Sequence, residues 1–361
     1  MARFETLVVK EVRRETPDCV SIALDVPAAL HDSFQFLPGQ YVTLRKDFNG
    51  EEVRRSYSIC SAPSEQVLRI GVKEVPNGQF SAFANRVLKQ GDALDVMPPL
   101  GKFIVQANAA NKKNYVAFAA GSGITPILSI MKAVLETEPK SQFTLFYGNR
   151  QKASVIFREE IEYLKNVYTE RLSIFHILSG EELGAELFSG RIDKNRVERL
   201  AALLFDAQSV DDYYLCGPEP MIHAVREVLE EKGVDKTRIH FELFTSTTKL
   251  QAGAGTEKPK AEEGQSFKSA VKVIIDGDEF EFSLQSDEKT ILDAAMASGI
   301  DVPFSCKGAV CCTCLARVKE GGVVMEKNYS LTDKEVAEGL ILTCQAHPKT
   351  ANVTVDYDDI W

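Results

Sequence analysis

Four cysteines constrain this chain more than any other feature: Cys306, Cys311 and Cys314 lie within nine residues, in Cys-Lys-Gly-Ala-Val-Cys-Cys-Thr-Cys, and Cys344 answers them thirty residues on in Leu-Thr-Cys-Gln. C-x4-C-x2-C with one distant cysteine is the spacing of a plant-type [2Fe-2S] site. Two irons and two sulfides need four thiolates converging from one side, and a single segment supplies three only if it folds back sharply. Gly308 and Ala309 permit that fold and leave room for backbone N–H groups to point at sulfur, where hydrogen bonds tune the reduction potential. Such clusters sit near roughly −400 mV, so a domain built on this loop moves electrons.

Three other uses of these thiols compete. A zinc ribbon would need a second C-x2-C pair beside Cys311 and Cys314, and there is none. Disulfides fit poorly, because Met1-Ala-Arg-Phe-Glu-Thr6 does not read as a signal peptide and clustered cysteines in a cytoplasmic chain more often bind metal. Buried structural thiols are the reading for Cys19, Cys60 and Cys312, and Cys312 is expected to point away from its ligand neighbour.

At 361 residues and 44% hydrophobic content the chain can fill two or three cores. It has no apolar run long enough for a membrane span, so a cytoplasmic protein without a membrane partner is expected. Asn328-Tyr-Ser matches a glycosylation acceptor by chance. Residues 269–361 hold 16 Asp/Glu against 8 Lys/Arg, a balance of −8 out of the chain's −10. That disfavours nucleic acid and favours docking to a basic patch on an electron acceptor, although a merely solvated acidic surface has the same composition.

Pattern divides the chain further. Residues 1–105 alternate short β-like runs (Thr6-Leu-Val-Val-Lys, Val20-Ser-Ile-Ala-Leu, Gln40-Tyr-Val-Thr-Leu) with turns at Pro38-Gly39 and Asn77-Gly78, the pattern of a barrel or sandwich. Residues 106–245 switch to strand, glycine turn, helix and strand: Tyr115 to Ala120, Gly121-Ser-Gly-Ile-Thr-Pro126, Ile127 to Leu135, Phe143 to Tyr147. This is a βαβ unit with a parallel sheet. Residues 246–268 are small and polar, a flexible linker. In 269–361, Asp276-Gly277-Asp278 joins two strands, and a helix capped by Thr290 and ended by Gly299 precedes the cysteine loop, a small α+β β-grasp arrangement.

Two constellations carry further chemistry. Arg55-Ser56-Tyr57-Ser58 closes a strand and is followed by Gly71-Val72-Lys73, by Gly78-Gln79-Phe80-Ser81 before a helix-like Ala82 to Leu88, and by Pro99-Leu-Gly-Lys-Phe103. A guanidinium suits a phosphate, an aromatic ring suits a flat heterocycle, and the N–H groups of a helix start suit a pyrophosphate. Taken alone, Tyr57 could be half-buried core and Arg55 a surface ion pair. Gly121-Ser122-Gly123-Ile-Thr125-Pro126 is a phosphate-binding turn without the third glycine of the dinucleotide fingerprint, and Tyr214-Leu-Cys216-Gly217-Pro218 ends a later strand. The next strand of the pattern stops at Tyr147-Gly-Asn-Arg150, a cation and no carboxylate, which favours the 2′-phosphate of NADPH over the hydroxyl of NADH. Arg158 is a second candidate for that contact.

These segments together resemble the ferredoxin-NADP reductase superfamily joined to a C-terminal plant-type ferredoxin, the layout of several oxygenase reductases, and the likeness covers nearly the whole chain. It implies a multidomain protein: an antiparallel β-barrel flavin domain, an α/β nucleotide-binding domain with a parallel sheet, and a C-terminal β-grasp ferredoxin domain. By the same likeness Arg55 pairs with the FAD phosphate, Tyr57 stacks on the isoalloxazine, Ser58 binds near its reactive nitrogen, and Cys216 borders the site of hydride transfer. His240-Phe-Glu242-Leu-Phe244 would bring Glu242 and Phe244 toward the flavin. Cys306, Cys311, Cys314 and Cys344 would hold the cluster. Electrons would pass from NADPH through FAD and [2Fe-2S] to an oxygenase component. Met325-Glu-Lys-Asn-Tyr-Ser-Leu331 resembles reductases that serve a multi-subunit di-iron oxygenase acting on an aromatic acyl-CoA. Reductases of Rieske or steroid oxygenases share the layout, and a non-enzymatic iron-sulfur sensor is the reading from another class.

Overall fold

The computed structural model describes residues 4–182, 184–244 and 266–360. Six strands, β1 (Glu5–Thr16), β2 (Cys19–Asp25), β3 (Tyr41–Phe48), β4 (Glu51–Ser58), β5 (Leu68–Lys73) and β6 (Ala93–Val96), lie in the order β4-β3-β6-β1-β2-β5. Alternation drives this sheet: on β1, Leu7 and Val9 are buried while Thr6, Val8 and Lys10 face water. Ile59, just past β4, bridges to Ile70 of β5 and closes the sheet into a barrel filled by Val20, Ile22, Leu44, Ile70 and Val72. Leu100 bridges back to Tyr41, so Pro99–Phe103 closes the barrel. Helix α1 runs Gln79–Arg86, three residues earlier than the stretch picked out by sequence, because Gly78 ends the preceding turn and serves as its N-cap.

Five strands, β7 (Asn114–Ala120), β8 (Gln142–Asn149), β9 (Leu172–Leu178), β10 (Asp212–Gly217) and β11 (Ile239–Leu243), form a parallel sheet in the order β11-β10-β7-β8-β9. Their near-continuous apolar runs fit strands covered on both faces, here by α2 (Ile124–Thr137), α3 (Arg158–Val167), α4 (Lys194–Leu203) and α5 (Glu219–Glu231). The chain order reverses between β7 and β10, and the crevice at the carboxyl ends of two such strands is where open α/β sheets bind ligands. Barrel and α/β half pack as one compact unit. A partly buried ionic network helps to join them: Lys132 of α2 meets Glu65 at 2.6 Å and also Glu160 of α3, and Arg69 of β5 meets Glu160 at 2.7 Å. Two cations face two carboxylates, so none is left uncompensated.

A second compact unit holds the C-terminal residues. It comprises β12 (Lys268–Ile275), β13 (Asp278–Gln285), α6 (Ile291–Ala297), β14 (Leu315–Glu320), β15 (Val323–Met325), α7 (Asp333–Ala337), β16 (Leu340–Leu342), β17 (Ala346–Pro348) and β18 (Asn352–Asp356). The main sheet runs β13-β12-β18-β14-β16, with β12 and β18 parallel, and β15 pairs with β17. Asp276 and Gly277 turn the β12–β13 hairpin with φ of 53° and 79°, as an Asp-Gly pair should. Thr290 caps α6 by accepting from Asp293 N at 3.2 Å. Ile291, Leu292 and Ala295 of α6 pack on Val271, Val273, Val353 and Val355, the grasp arrangement expected. Most of the expected linker, 246–265, lies outside the described residues, and its last position, Lys268, already opens β12.

Candidate functional site

Strand β4 carries Arg55, Ser56, Tyr57 and Ser58 in succession, so their side chains alternate between its faces. Arg55 is half-buried, donates to the Arg54 carbonyl at 2.7 Å and meets no carboxylate among the described residues. The surface ion pair considered from sequence is thus not formed, and the guanidinium remains available to a phosphate. Tyr57 is half-buried with its ring 5.6 Å from that of Phe80, which sits in the first turn of α1. Ser81 shapes the start of that helix, accepting from Val75 N at 3.2 Å and donating to Gly78 O at 3.3 Å. The first bond of α1 runs from Ala82 N to Gly78 O, leaving the N–H groups of Gln79, Phe80 and Ser81 ahead of it in the position that suits an anion.

The glycine turn stands where sequence put it, between β7 and α2, with Gly121–Gly123 as one tight turn and Ile124 opening the helix. Thr125 closes the turn by donating to Ser122 O at 3.0 Å, and Pro126 sits in the first helical turn, where its missing N–H costs nothing. Gly123 is obligatory for packing: a Cβ there would lie 2.1 Å from Cys216 O and 2.9 Å from Gly217 N. Gly71 plays the same part on β5, where a Cβ would meet Thr125 Cγ2 at 2.7 Å. Val72 is buried in the barrel, and Lys73 pairs with Asp18 at 3.5 Å. These two close approaches bring both glycine motifs and the flavin-type strand to the same junction.

At that junction three sequence-distant candidates meet. Cys216 and Glu242 are register partners on β10 and β11, and Ser58 Oγ donates to Glu242 Oε2 at 3.2 Å across 184 residues. Phe244 N donates to Gly217 O at 3.0 Å, tying the end of β11 to the turn that Pro218 completes before α5. Burial pushes the Glu242 carboxyl up to about 7, against the pull of the Ser58 hydrogen bond. Burial, then the neighbouring Glu242, pushes the Cys216 thiol well above its ordinary range, so it stays protonated at neutral pH. The site therefore offers a hydroxyl, a thiol and a carboxyl able to hold a proton near pH 7.

Arg150 follows β8 and lines a cavity of about 530 Å³ with Ser179, Gly190 and Arg191. Arg191 was not found from sequence, since it lies 41 residues further on with no motif to flag it; only the side-by-side ends of β8 and β9 bring it near. Neither guanidinium has an ion-pair partner among the described residues. Arg158, the other sequence candidate, is committed to Glu162 of its own helix at 2.8 Å.

The cysteine loop has the fold its spacing required. Lys307, Ala309 and Cys312 all take left-handed backbone, with φ of 49°, 60° and 56°. The four thiols fall into two hydrogen-bonded pairs, Cys306 with Cys311 and Cys314 with Cys344. Among the described residues no three His, Cys, Asp or Glu side chains converge as a single metal ion would need. Two thiol pairs suit two irons, each taking one pair, so the residues fit a [2Fe-2S] cluster. The Cys311 hydrogen bond, with backbone amides behind it, brings the Cys306 thiol down to about 6, close to the thiolate a metal requires. Cys19 and Cys60 are buried as expected, with thiols pushed up by burial. Cys312 corrects the expectation of a buried thiol: it is only half-buried, because its left-handed backbone keeps it at the margin of the module core.

Comparison with known proteins matches three domain families in the same order. Residues 6–104 match the oxidoreductase FAD-binding domain, 118–227 the oxidoreductase NAD-binding domain and 273–349 the 2Fe-2S iron-sulfur cluster binding domain. One component of the 1,2-phenylacetyl-CoA epoxidase of Escherichia coli (strain K12) is 42% identical over 358 residues, 99% of each chain. The chain belongs to the oxygenase reductases. The ferredoxin reductase component of 3-ketosteroid-9-alpha-monooxygenase from Rhodococcus rhodochrous is 33% identical over 99% of this chain and 97% of that protein. Phthalate dioxygenase reductase has the same fold, with a TM-score of 0.55 at 23% identity over 98% of each chain. This reductase is accordingly an oxidoreductase that uses FAD, a pyridine nucleotide and a [2Fe-2S] cluster to supply electrons to an oxygenase. Among its described residues, no helix is long and apolar enough to cross a membrane.

Proposed function

We propose that this reductase takes electrons from NADPH in the cytoplasm and delivers them to a multi-subunit di-iron oxygenase that epoxidises phenylacetyl-CoA in phenylacetate catabolism. The observation that carries the reading is the 42% identity to the epoxidase component, sustained over 99% of both chains. The choice of NADPH rests on Arg150 and Arg191 flanking one cavity with Ser179, two guanidiniums without an ion-pair partner among the described residues, where a 2′-phosphate would lie.

When bound, the flavin accepts an electron pair from the nicotinamide and the cluster passes electrons on singly. The chain's own residues hold and align these groups. Arg55 takes the flavin phosphate and Tyr57 covers the ring, while the first amides of α1, Gln79 to Ser81, face the pyrophosphate. Gly121 to Pro126 receive the nicotinamide nucleotide's phosphates at the N-terminus of α2, and Gly217 and Pro218 form the other wall of that crevice. Ser58, Cys216 and Glu242 border the ring edge where the nicotinamide must lie, with the Glu242 carboxyl holding a proton near pH 7. Phe244, packed against the α/β core, limits water there. Cys306, Cys311, Cys314 and Cys344 hold the cluster.

Reconstitution decides the matter: the purified reductase is mixed with the epoxidase oxygenase, a Rieske oxygenase or a steroid monooxygenase, and NADPH and oxygen consumption are followed together. Coupled consumption with the phenylacetyl-CoA oxygenase alone is expected. Coupling to one of the other oxygenases moves the chain to that system, and preference for NADH overturns the nucleotide choice.

A further inference from the structure

The segment Met325-Glu-Lys-Asn-Tyr-Ser-Leu331 takes no part in the chemistry above, yet the fold sets it against the cluster loop. Asn328 shapes it into a tight turn: its Oδ1 accepts from Ser330 N at 3.2 Å and Leu331 N at 2.8 Å, and its Nδ2 donates to Leu331 O at 2.9 Å. Leu331 is buried in the module core and anchors the turn, and α7 begins directly after it with Thr332 as N-cap. The amide that matched a glycosylation acceptor is thus engaged within its own turn, although Asn328 lies at the exposed surface. From this turn Ser330 Oγ lies 2.9 Å from both Ala309 O and Val310 O and shares its proton between them.

Those two carbonyls belong to the peptide units whose N–H groups are those of Val310 and Cys311. In a trans peptide the N–H points opposite to the C=O, so these two N–H groups face away from Ser330, into the loop where Gly308 N donates to Cys306 Sγ at 3.2 Å. A peptide unit is rigid and planar, so fixing its C=O fixes its N–H. Ala309 makes the restraint necessary, because it is a residue with a Cβ held at φ 60° and fully buried, a backbone state that neighbouring contacts must over-determine. We propose that Ser330 is a positioning residue for the iron-sulfur centre: its hydroxyl orients the Ala309–Val310 and Val310–Cys311 peptides so that their N–H groups hydrogen-bond the Cys306 sulfur. Such bonds favour the more negative, reduced cluster and so raise its potential.

The test is Ser330→Ala beside Ser330→Thr, which keeps the hydroxyl, both in the full-length, cofactor-loaded protein. Three readouts are the midpoint potential of the cluster, the EPR spectrum of its reduced form, and deuterium uptake of the 306–314 peptide by mass spectrometry. Ser330→Ala is expected to disfavour the reduced cluster about threefold, about 28 mV for a one-electron couple, to alter the g values, and to speed uptake in the loop. Ser330→Thr is expected to stay with the wild type. Unchanged potential, spectrum and uptake in Ser330→Ala overturn the proposal. If Ser330→Ala cannot keep its cluster, Ser330→Thr decides: retention of a wild-type cluster supports the role of the hydroxyl, and equal loss shows that the position serves packing only.

Discussion

The two units hold their redox groups by opposite means. In the barrel and α/β unit the candidate groups sit on regular structure: Ser58 on β4, Cys216 on β10, Glu242 on β11, and the N–H groups at the starts of α1 and α2. Position there comes from close packing, as at Gly123, where the neighbouring Cys216 carbonyl leaves no space for a Cβ. The C-terminal unit places its candidate ligands on irregular backbone, with three left-handed non-glycine residues between Cys306 and Cys314, held by side-chain hydroxyls. Ser330 grips one side of that loop; on the other, Tyr357 Oη donates to Thr343 Oγ1 at 2.9 Å, and Thr343 donates in turn to Cys314 O at 2.9 Å. A two-electron exchange between flat rings rewards a rigid platform, whereas a cluster needs a loop that wraps it and aims N–H groups inward.

The sharpest way to break this comparison is Cys314→Ser. It should abolish the cluster's EPR signal and reduce oxygenase-coupled turnover by more than the roughly 10–100-fold typical of losing an outer-shell partner. Flavin reduction by NADPH should stay near wild type, and a parallel collapse of that rate would show that the units are not independent platforms. Next comes Gly123→Ala, which should cost about 1–3 kcal/mol by overpacking and slow flavin reduction while leaving the cluster signal intact. Stopped-flow reduction and thermal unfolding measure both effects.

Arg191→Ala should raise KM for NADPH about tenfold, about 1.4 kcal/mol, with kcat and the NADH constants unchanged. Equal loss with both nucleotides would remove Arg191 from the phosphate contact. The last effect is spread over a pH range and concerns Glu242, whose carboxyl has its folded pKa raised to about 7 from 4.5 by burial. Between those values the folded protein binds more protons than the unfolded chain, so this group's contribution is fully present below about 4.5 and is lost as pH rises through about 7. Thermal unfolding from pH 5 to 8 should fall more steeply in the wild type than in Glu242→Gln, by at most about 3 kcal/mol. Parallel curves would place the Glu242 titration outside this range.

Much of the fold was legible because its signals are local. The Asp276-Gly277 hairpin, the Thr290 cap, the glycine turn at Gly121 and the barrel turns each depend on a few adjacent residues. The early start of α1 escaped because the Asn77-Gly78 turn and Ser81 overrode the apolar stretch that follows. Cys312 was misjudged because the handedness of its backbone does not follow from its neighbours' identities.

By itself the sequence determined which chemistry the chain carries. Cysteine spacing, an Arg-x-Tyr-Ser strand and two glycine turns specify an iron-sulfur loop, a flavin strand and a nucleotide crevice, since each ligand type demands particular atoms at short, fixed separations. Tertiary structure alone decided what surrounds them: Ser58 against Glu242, Arg191 beside Arg150, Ser330 beneath Ala309 and Val310. These contacts join segments from about 20 to 184 residues apart, and what brings them together is strand order and the packing of the core.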